Sequence, residues 1–195
     1  LPGGEKFSLP IPSEQMLSLA VSNMNENKVV VRIGSGEDYK SPVYLLAHSR
    51  GSIHFAESVT LQPPYTNVVI TKDELPEGVI QLTLFNTEGI PQSERMVFIR
   101  KDRDIVVTVT TDQINYQPRD SILVDVEVKD NDGYPVETSL SVSVTDAAFV
   151  SVNSDSENIY THLLLQSDLQ GYVEQPGWYF DSVSTQKIYA LDLVM

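Results

Sequence analysis

Apolar and polar side chains alternate along much of the chain with a period of two residues. Between positions 122 and 129 every second residue is isoleucine or valine, and three of the four residues between them are charged. Leu140, Val142 and Val144 alternate in the same way with serine and threonine. Because successive side chains of a strand point to opposite faces, these runs predict strands with one buried and one solvated face. This pattern is typical of antiparallel sheets.

The first half of the chain contains seven short segments that favour strands, separated by residues that favour turns. The turns fall at positions 25–27, 34–36, 50–51, 62–64, 76–78 and 88–89. Short strands at nearly regular spacing predict a β-sandwich. The predicted strands span residues 16–22, 28–33, 43–48, 53–59, 67–71, 79–86 and 94–100.

The polar run at 101–104 is predicted to link two domains, and strands are predicted beyond it at 105–111, 121–129 and 138–145. The pattern then becomes helical. Ser154 and Glu157 fit a capping box for a helix that ends by Gly171, and a second helix is predicted at 185–195. The predicted fold is mainly β: two tandem immunoglobulin-like, macroglobulin-like antiparallel sandwiches, residues 1–101 and 102–195, with one or two helices in the C-terminal part.

The second predicted domain has few strands, since a sandwich of this type needs about seven and only three precede the helices. Three alternatives remain open. The other strands lie within 147–153 and 171–182, they lie beyond Met195, or the sandwich is completed from outside the chain.

Composition supports a folded, acidic protein. Of 195 residues, 41% are hydrophobic, which is enough to bury a core. The 13 basic and 27 acidic residues give a net charge of −14, which disfavours nucleic acids and anionic membrane surfaces. Residues 102–195 hold four basic and 16 acidic residues, a net charge of −12, so the charge changes abruptly at the predicted domain boundary.

The absence of cysteine excludes disulfides, cysteine zinc sites and iron–sulfur clusters. No run of 18 apolar residues and no signal peptide is present in the sequence. The chain begins with leucine and ends on an apolar stretch, so we expect it to be cut from a longer protein.

Two histidines flank a predicted two-residue hairpin turn at 50–51. His48 is predicted to lie opposite Ile53 and His54 opposite Ala47, which places the two imidazoles on opposite faces and prevents joint metal binding. No metal site or cofactor is predicted.

No catalytic residue is predicted either. Asp130, Asp132 and Glu137 lack the spacing of a calcium loop and indicate a hairpin turn. No Gly-x-Ser-x-Gly elbow occurs, and the Gly-Ser-Gly run at 34–36 indicates a turn. The chain is therefore not expected to be an enzyme.

Four aromatic residues close together in the sequence are the candidate ligand-binding residues. Such side chains on a loop can stack on sugar rings or anchor a partner, or they can pack the loop onto the core. They are Tyr172, Trp178, Tyr179 and Phe180.

Residues 111–122, Thr-Asp-Gln-Ile-Asn-Tyr-Gln-Pro-Arg-Asp-Ser-Ile, resemble the opening of a macroglobulin domain. That family shows Thr-Asp-Lys, then Tyr, then a basic residue and Pro-Gly before a strand. The matching residues are Thr111, Asp112, Tyr116 and Pro118, and the departures are Gln113, Gln117 and Arg119.

A wider resemblance involves residues 44–51, 75–85, 93–98 and 164–174. These segments are similar to motifs of large bacterial cell-envelope proteins that string macroglobulin-like, immunoglobulin-like domains ahead of a TonB-receptor-type plug domain. The resemblance implies an exported fragment, periplasmic or associated with the outer membrane. Macroglobulins that trap targets use a Cys–Gln thioester, which a chain without cysteine does not form.

Three functions are considered. The first is a non-catalytic structural or interaction module whose partners are proteins or neighbouring domains of the same chain. The second is a glycan- or peptide-binding module that uses the aromatic segment 172–180. The third, and least favoured, is a hydrolase with dispersed carboxylates.

Overall fold

A computed structural model describes residues 17–101, 105–146, 148–151 and 153–195. The chain forms two compact units. The first comprises the described residues up to Arg100 together with Asn153–Met195, and the second begins at Lys101 and ends before Asn153.

The first unit contains seven strands, which are β1 (Leu17–Ser22), β2 (Lys28–Ser35), β3 (Val43–Ser49), β4 (Ser52–Val59), β5 (Tyr65–Thr71), β6 (Gly78–Phe85) and β7 (Pro91–Ile99). They form two antiparallel sheets, with the orders β1-β2-β5 and β4-β3-β6-β7. Each strand matches a predicted one to within three residues, and the mainly β, antiparallel fold class is confirmed.

The two sheets enclose the main core of this unit. Alternate residues of β2 point inward, and Val29, Val31 and Ile33 are completely buried. Leu45 of β3 and Leu82 of β6 meet them from the other sheet. Burying such side chains contributes about 1.5–3 kcal/mol each, so this layer stabilises the sandwich.

The hairpin between β3 and β4 has the predicted two-residue turn, since Arg50 (φ 49°) and Gly51 (φ 78°) both have positive φ. His48 lies opposite Ile53, as predicted. The predicted pairing of His54 with Ala47 is wrong, because Ala47 lies opposite Phe55. The register shifts between Ala47 and His48, and such a β-bulge gives one strand an extra, unpaired residue.

The C-terminal part of the first unit is helical, as predicted. It contains α1 (Ile159–Leu164) and α2 (Thr185–Val194), with short 3-10 turns at Gln166–Asp168 and Pro176–Tyr179. The predicted capping box at Ser154 and Glu157 is wrong. Asn158 caps α1: its side chain accepts from the Thr161 amide (3.0 Å), and the Thr161 hydroxyl accepts from the Asn158 amide (2.9 Å).

The segment Asn153–Met195, which we call the helical layer, covers the outer face of the β4-β3-β6-β7 sheet. Val79 of β6 and Phe98 of β7 form a second apolar cluster with Leu165, Val173 and Leu191 of this layer. The predicted division at residue 101 placed the helical layer with the second domain, whereas its contacts in the structure are with the first unit.

The second unit is built on two antiparallel strands, β8 (Ile105–Thr111) and β9 (Val124–Asp130). The predicted strand at 138–145 is not a strand in the structure. The chain returns along β9 only as far as Val136, whose amide donates to the carbonyl of Val128 (3.0 Å). The segment alternates apolar and polar residues, but its apolar side chains stay exposed, as Leu140 (49%) and Val144 (91%) show.

A hydrogen-bonded corner joins β8 to the start of β9 and uses residues of the macroglobulin-like motif. The Asp112 carboxylate accepts from the Tyr116 hydroxyl (2.6 Å) and from the Leu123 amide (3.0 Å). The Tyr116 oxygen in turn accepts from the Gln113 amide (2.9 Å). The hydrogen bonds that the Asp112 carboxylate accepts stabilise its charged form and lower the pKa of Asp112. The bond from Tyr116 has the largest effect.

Candidate functional site

The four predicted ligand-binding aromatics have different environments. Tyr172 is 87% exposed, whereas the other three are partly buried. Trp178 packs edge-on against Tyr179, with ring centroids 5.2 Å apart. Lys187 Nζ lies 4.7 Å from the centroid of the Trp178 ring, which is a cation–π arrangement.

Phe180 packs into the second apolar cluster. Its ring makes T-shaped contacts with Phe98 (5.4 Å between centroids) and Tyr160 (5.2 Å). Tyr179 also packs against this cluster. The structure therefore does not bring the four aromatics into one exposed surface, and only Tyr172 presents most of its ring to solvent.

The Pro-Gly turn before Trp178 is fixed by close backbone packing. The Gly177 amide donates to the Asp155 carbonyl (2.9 Å), and a Cβ at position 177 would collide with the backbone of Ser154 and Asp155. Glycine is required there because the two chain segments touch. This contact directs Tyr179 and Phe180 toward the sheet.

Tyr172 lies at a groove of about 390 Å³ between the helical layer and the outer face of the sheet. Gln81 of β6 and Met96 of β7 line its sheet side. The helical layer contributes residues 168–173 and Val194. Of these residues only Tyr172 was predicted from the sequence. Gln81 and Met96 are far from it in the sequence, and only the packing of the helical layer on the sheet brings them to the groove.

Three arginines of the sandwich hold the helical layer in place. Arg50 makes a bidentate ion pair with Asp168, with Nη2–Oδ2 at 2.7 Å and Nε–Oδ1 at 3.2 Å, and also donates to the Leu163 carbonyl. The hydrogen bonds that the Arg50 guanidinium donates to the Asp168 carboxylate raise the pKa of Arg50, so the cation persists at all ordinary pH values. Arg95 donates to both the carbonyl and the carboxylate of Asp192 (3.1 Å each).

Arg100 hydrogen-bonds to the backbone of the loop that precedes α2. Its guanidinium donates to the carbonyls of Tyr179 (3.5 Å), Phe180 (3.3 Å) and Ser182 (3.3 Å). Arg100, Asn23 and Lys187 also line a cavity of about 40 Å³. This cavity is too small for more than a few water-sized molecules.

The histidines make separate local hydrogen bonds. His48 Nε2 lies 3.3 Å from the Thr83 hydroxyl, His54 Nε2 lies 2.9 Å from the Ser49 hydroxyl, and His162 Nδ1 lies 2.7 Å from Glu157. No group of three or more His, Asp or Glu side chains that could hold a metal ion occurs among the described residues. A catalytic triad needs a carboxylate bonded to the histidine. Among the described residues, no carboxylate hydrogen-bonds to His54, so the Ser49–His54 pair does not form such a triad.

No protein-family model matches the sequence, and a search of curated proteins gives no match. Within the described ranges, no helix has the length and apolar character needed to cross a membrane.

Proposed function

We propose that the chain is a non-catalytic structural and interaction module of an exported cell-envelope protein, and that it makes protein–protein contacts through the second unit. The observation that carries this proposal is one apolar, solvent-exposed face of the β8–β9 sheet. The side chains of that face that are 37–61% exposed are Ile105, Val107, Val109, Val124 and Val126.

The register shows that these side chains share one face. Val107 lies opposite Val128, and Val109 lies opposite Val126. The other face pairs Thr108 with Glu127 and Thr110 with Asp125, so it is mostly polar.

A two-stranded sheet is at best marginally stable alone and needs a second layer over its apolar face. A continuous exposed apolar patch beside a polar face is typical of a protein interface. The occupant we propose is a protein surface, either a partner or a neighbouring domain of the same parent chain.

The experiment uses site-specific photo-crosslinking in the cells that produce the protein. A photoreactive phenylalanine analogue replaces either Val109 on the apolar face or Thr108, its neighbour on the polar face. We expect a discrete cross-linked protein product from position 109 and none from position 108. A proposal of contact through this face is wrong if position 109 gives no product or if both positions give the same one.

A pair of lysine variants tests whether the face drives the contact. Val109→Lys is expected to abolish the complex, because it places a charge in an apolar interface, whereas Thr108→Lys lies opposite Glu127 and leaves the complex intact. Persistence of the complex in Val109→Lys would contradict the proposal.

Export is the second part of the proposal and is supported by the resemblance to bacterial cell-envelope proteins. Cell fractionation of the natural protein is expected to recover it with the periplasm or the outer membrane. Recovery with the cytosol would overturn this part alone.

Ligand binding by the segment 172–180 is the second candidate function. The exposure of Tyr172, at 87%, favours it, while the partial burial of Trp178, Tyr179 and Phe180 restricts it to one aromatic of the four.

A further inference from the structure

We propose that the groove beside Tyr172 binds a neutral oligosaccharide. The inference names the ligand class for the second candidate function, ligand binding at Tyr172, and rests on that function. It does not depend on the protein contacts proposed for the second unit. Its volume of about 390 Å³ falls within the range of small-molecule sites, roughly 300–1,000 Å³.

The side chains around the groove suit a sugar ring. Tyr172 offers an aromatic face on which the C–H face of a pyranose can stack. Gln81 and Gln170 line the same groove. A primary amide both donates and accepts, which matches the paired donor and acceptor character of sugar hydroxyls.

The charge of the groove favours a neutral ligand. Among the described residues, Asp168 is the one charged side chain that lines it, and it is already paired with Arg50 through two oxygens. A net charge of −14 opposes acidic sugars. The described lining residues include no cation that could bind a carboxylate or a phosphate.

The backbone of the groove favours a sugar over an extended peptide. Peptides that bind by strand addition need a free sheet edge. The groove wall at 169–173 is not a strand, and Gly171 has a φ of 109°, which an extended ladder does not accommodate. Gln81 and Met96 lie opposite each other within paired strands, so their backbone groups face each other.

The groove is held in shape before any ligand arrives. Val173 is buried in the second apolar cluster, Leu169 packs against that cluster, and Arg50 fixes Asp168. A ligand therefore does not have to order this loop, which lowers the cost of binding.

Isothermal titration calorimetry of the full chain with cellohexaose, maltohexaose, xylohexaose and chitohexaose tests the proposal. At least one of these neutral sugars is expected to bind, and Tyr172→Ala is expected to lower its affinity by about tenfold or more. Tyr172→Phe, which keeps the ring, is expected to stay within about threefold. The matched control is Tyr189→Ala, since Tyr189 is also exposed (57%) but does not line the groove.

Amide chemical shifts give the location independently of affinity. The bound sugar is expected to shift the resonances of Gln81 and residues 170–173, and to leave those of β8 and β9 unchanged. Two outcomes would each overturn the proposal: no sugar binds at millimolar concentration, or the Tyr172→Ala and Tyr189→Ala variants lose affinity equally. If no sugar binds but a random heptapeptide library yields a groove ligand, the site is a peptide site instead. None of these outcomes bears on the cross-linking at position 109, so the two proposals fail separately.

Discussion

Asp112 and Tyr116 lie four residues apart, and their side chains bind each other and neighbouring backbone amides at the entry to β9. The phenol donates to the carboxylate at 2.6 Å, and the carboxylate also accepts from the Leu123 amide. The corner thus uses the Asp112 carboxylate, the Tyr116 hydroxyl and the Leu123 amide. The motif noted in the sequence thus has a local structural role that does not depend on any family relationship.

We expect the Asp112 carboxyl to titrate below its ordinary value of 3.8, because hydrogen bonds to its charged form hold its pKa down. A group with a lowered folded-state pKa stabilises the fold above its unfolded pKa, and this contribution is lost as the pH falls through the lower, folded-state pKa. A carbon-detected NMR titration of the Asp112 side chain measures the midpoint.

Tyr116→Phe is the variant that isolates the cause, since it removes the phenol hydroxyl and keeps the ring. The Asp112 midpoint is expected to rise toward 3.8 in this variant. Tyr134→Phe serves as a control, because Tyr134 is an exposed tyrosine of the same unit (69%). An unchanged midpoint in Tyr116→Phe would show that the hydroxyl does not lower the pKa.

At the scale of elements, α1 shows how a helix start is chosen between two polar candidates. Ser154 and Glu157 have the spacing of a capping box, and so do Asn158 and Thr161. The structure uses the second pair, in which both reciprocal hydrogen bonds are present. The backbone of Ser154 instead lies against Gly177, so it belongs to a contact between two loops.

Asn158→Ala is expected to lower the free energy of unfolding of the first unit by roughly 0.5–2 kcal/mol, the usual effect of losing an N-cap. Ser154→Ala is the matched comparison and is expected to change this free energy by less than about 0.5 kcal/mol, because among the described residues the Ser154 hydroxyl bonds only to the neighbouring Asp155 (3.4 Å). Chemical denaturation followed by circular dichroism measures both. Equal losses in the two variants would contradict the assignment of the cap.

The strands of the first unit were predictable from sequence because alternation and turn residues are both local signals. The second helix was also predictable from a local signal, because Ile188, Leu191 and Met195 recur at helical spacing. The unit to which the helical layer belongs was not predictable from these signals. One clue was present in β6. Val79 and Ile80 are adjacent apolar residues, so their side chains point to opposite faces of the strand, and both are buried. A strand with one solvated face has a polar residue at one of two such positions, so this pair indicates a sheet that is covered on both faces.

The candidate site was predicted only in part, and the reason is again long-range packing. Tyr172 lies at a groove, but Gln81 and Met96 come from strands more than seventy residues earlier. The sequence left two alternatives for Phe180, ligand binding or packing onto the core, and in the structure its ring packs against Phe98 and Tyr160. An isolated sequence carries no signal that distinguishes these two outcomes.

At the scale of the whole molecule, the two units differ in how much they bury. The strands of the first unit contain many completely buried residues, while in β8 every residue is exposed. Local stability follows buried apolar contacts. The two units are therefore expected to open with different free energies.

Native-state hydrogen exchange of the isolated chain is expected to show the slowest amides in β3 and β6 and much faster exchange in β8 and β9. Mass spectrometry of peptides from each strand resolves the difference. Protection of β8 and β9 equal to that of β3 in a monomer would mean that the chain covers its own apolar face, and the need for a partner there would disappear.

The order in which the first unit is assembled follows from its interrupted sequence. During synthesis on the ribosome, the seven strands of the sandwich emerge first, then the whole second unit, and only afterwards the helical layer that covers Val79 and Phe98. The nascent sandwich therefore exposes the apolar outer face of its second sheet to solvent while more than fifty further residues are translated. Partly made chains with such surfaces attract chaperones and aggregate readily, so the vulnerable interval in the life of this protein falls before Asn153–Met195 is complete.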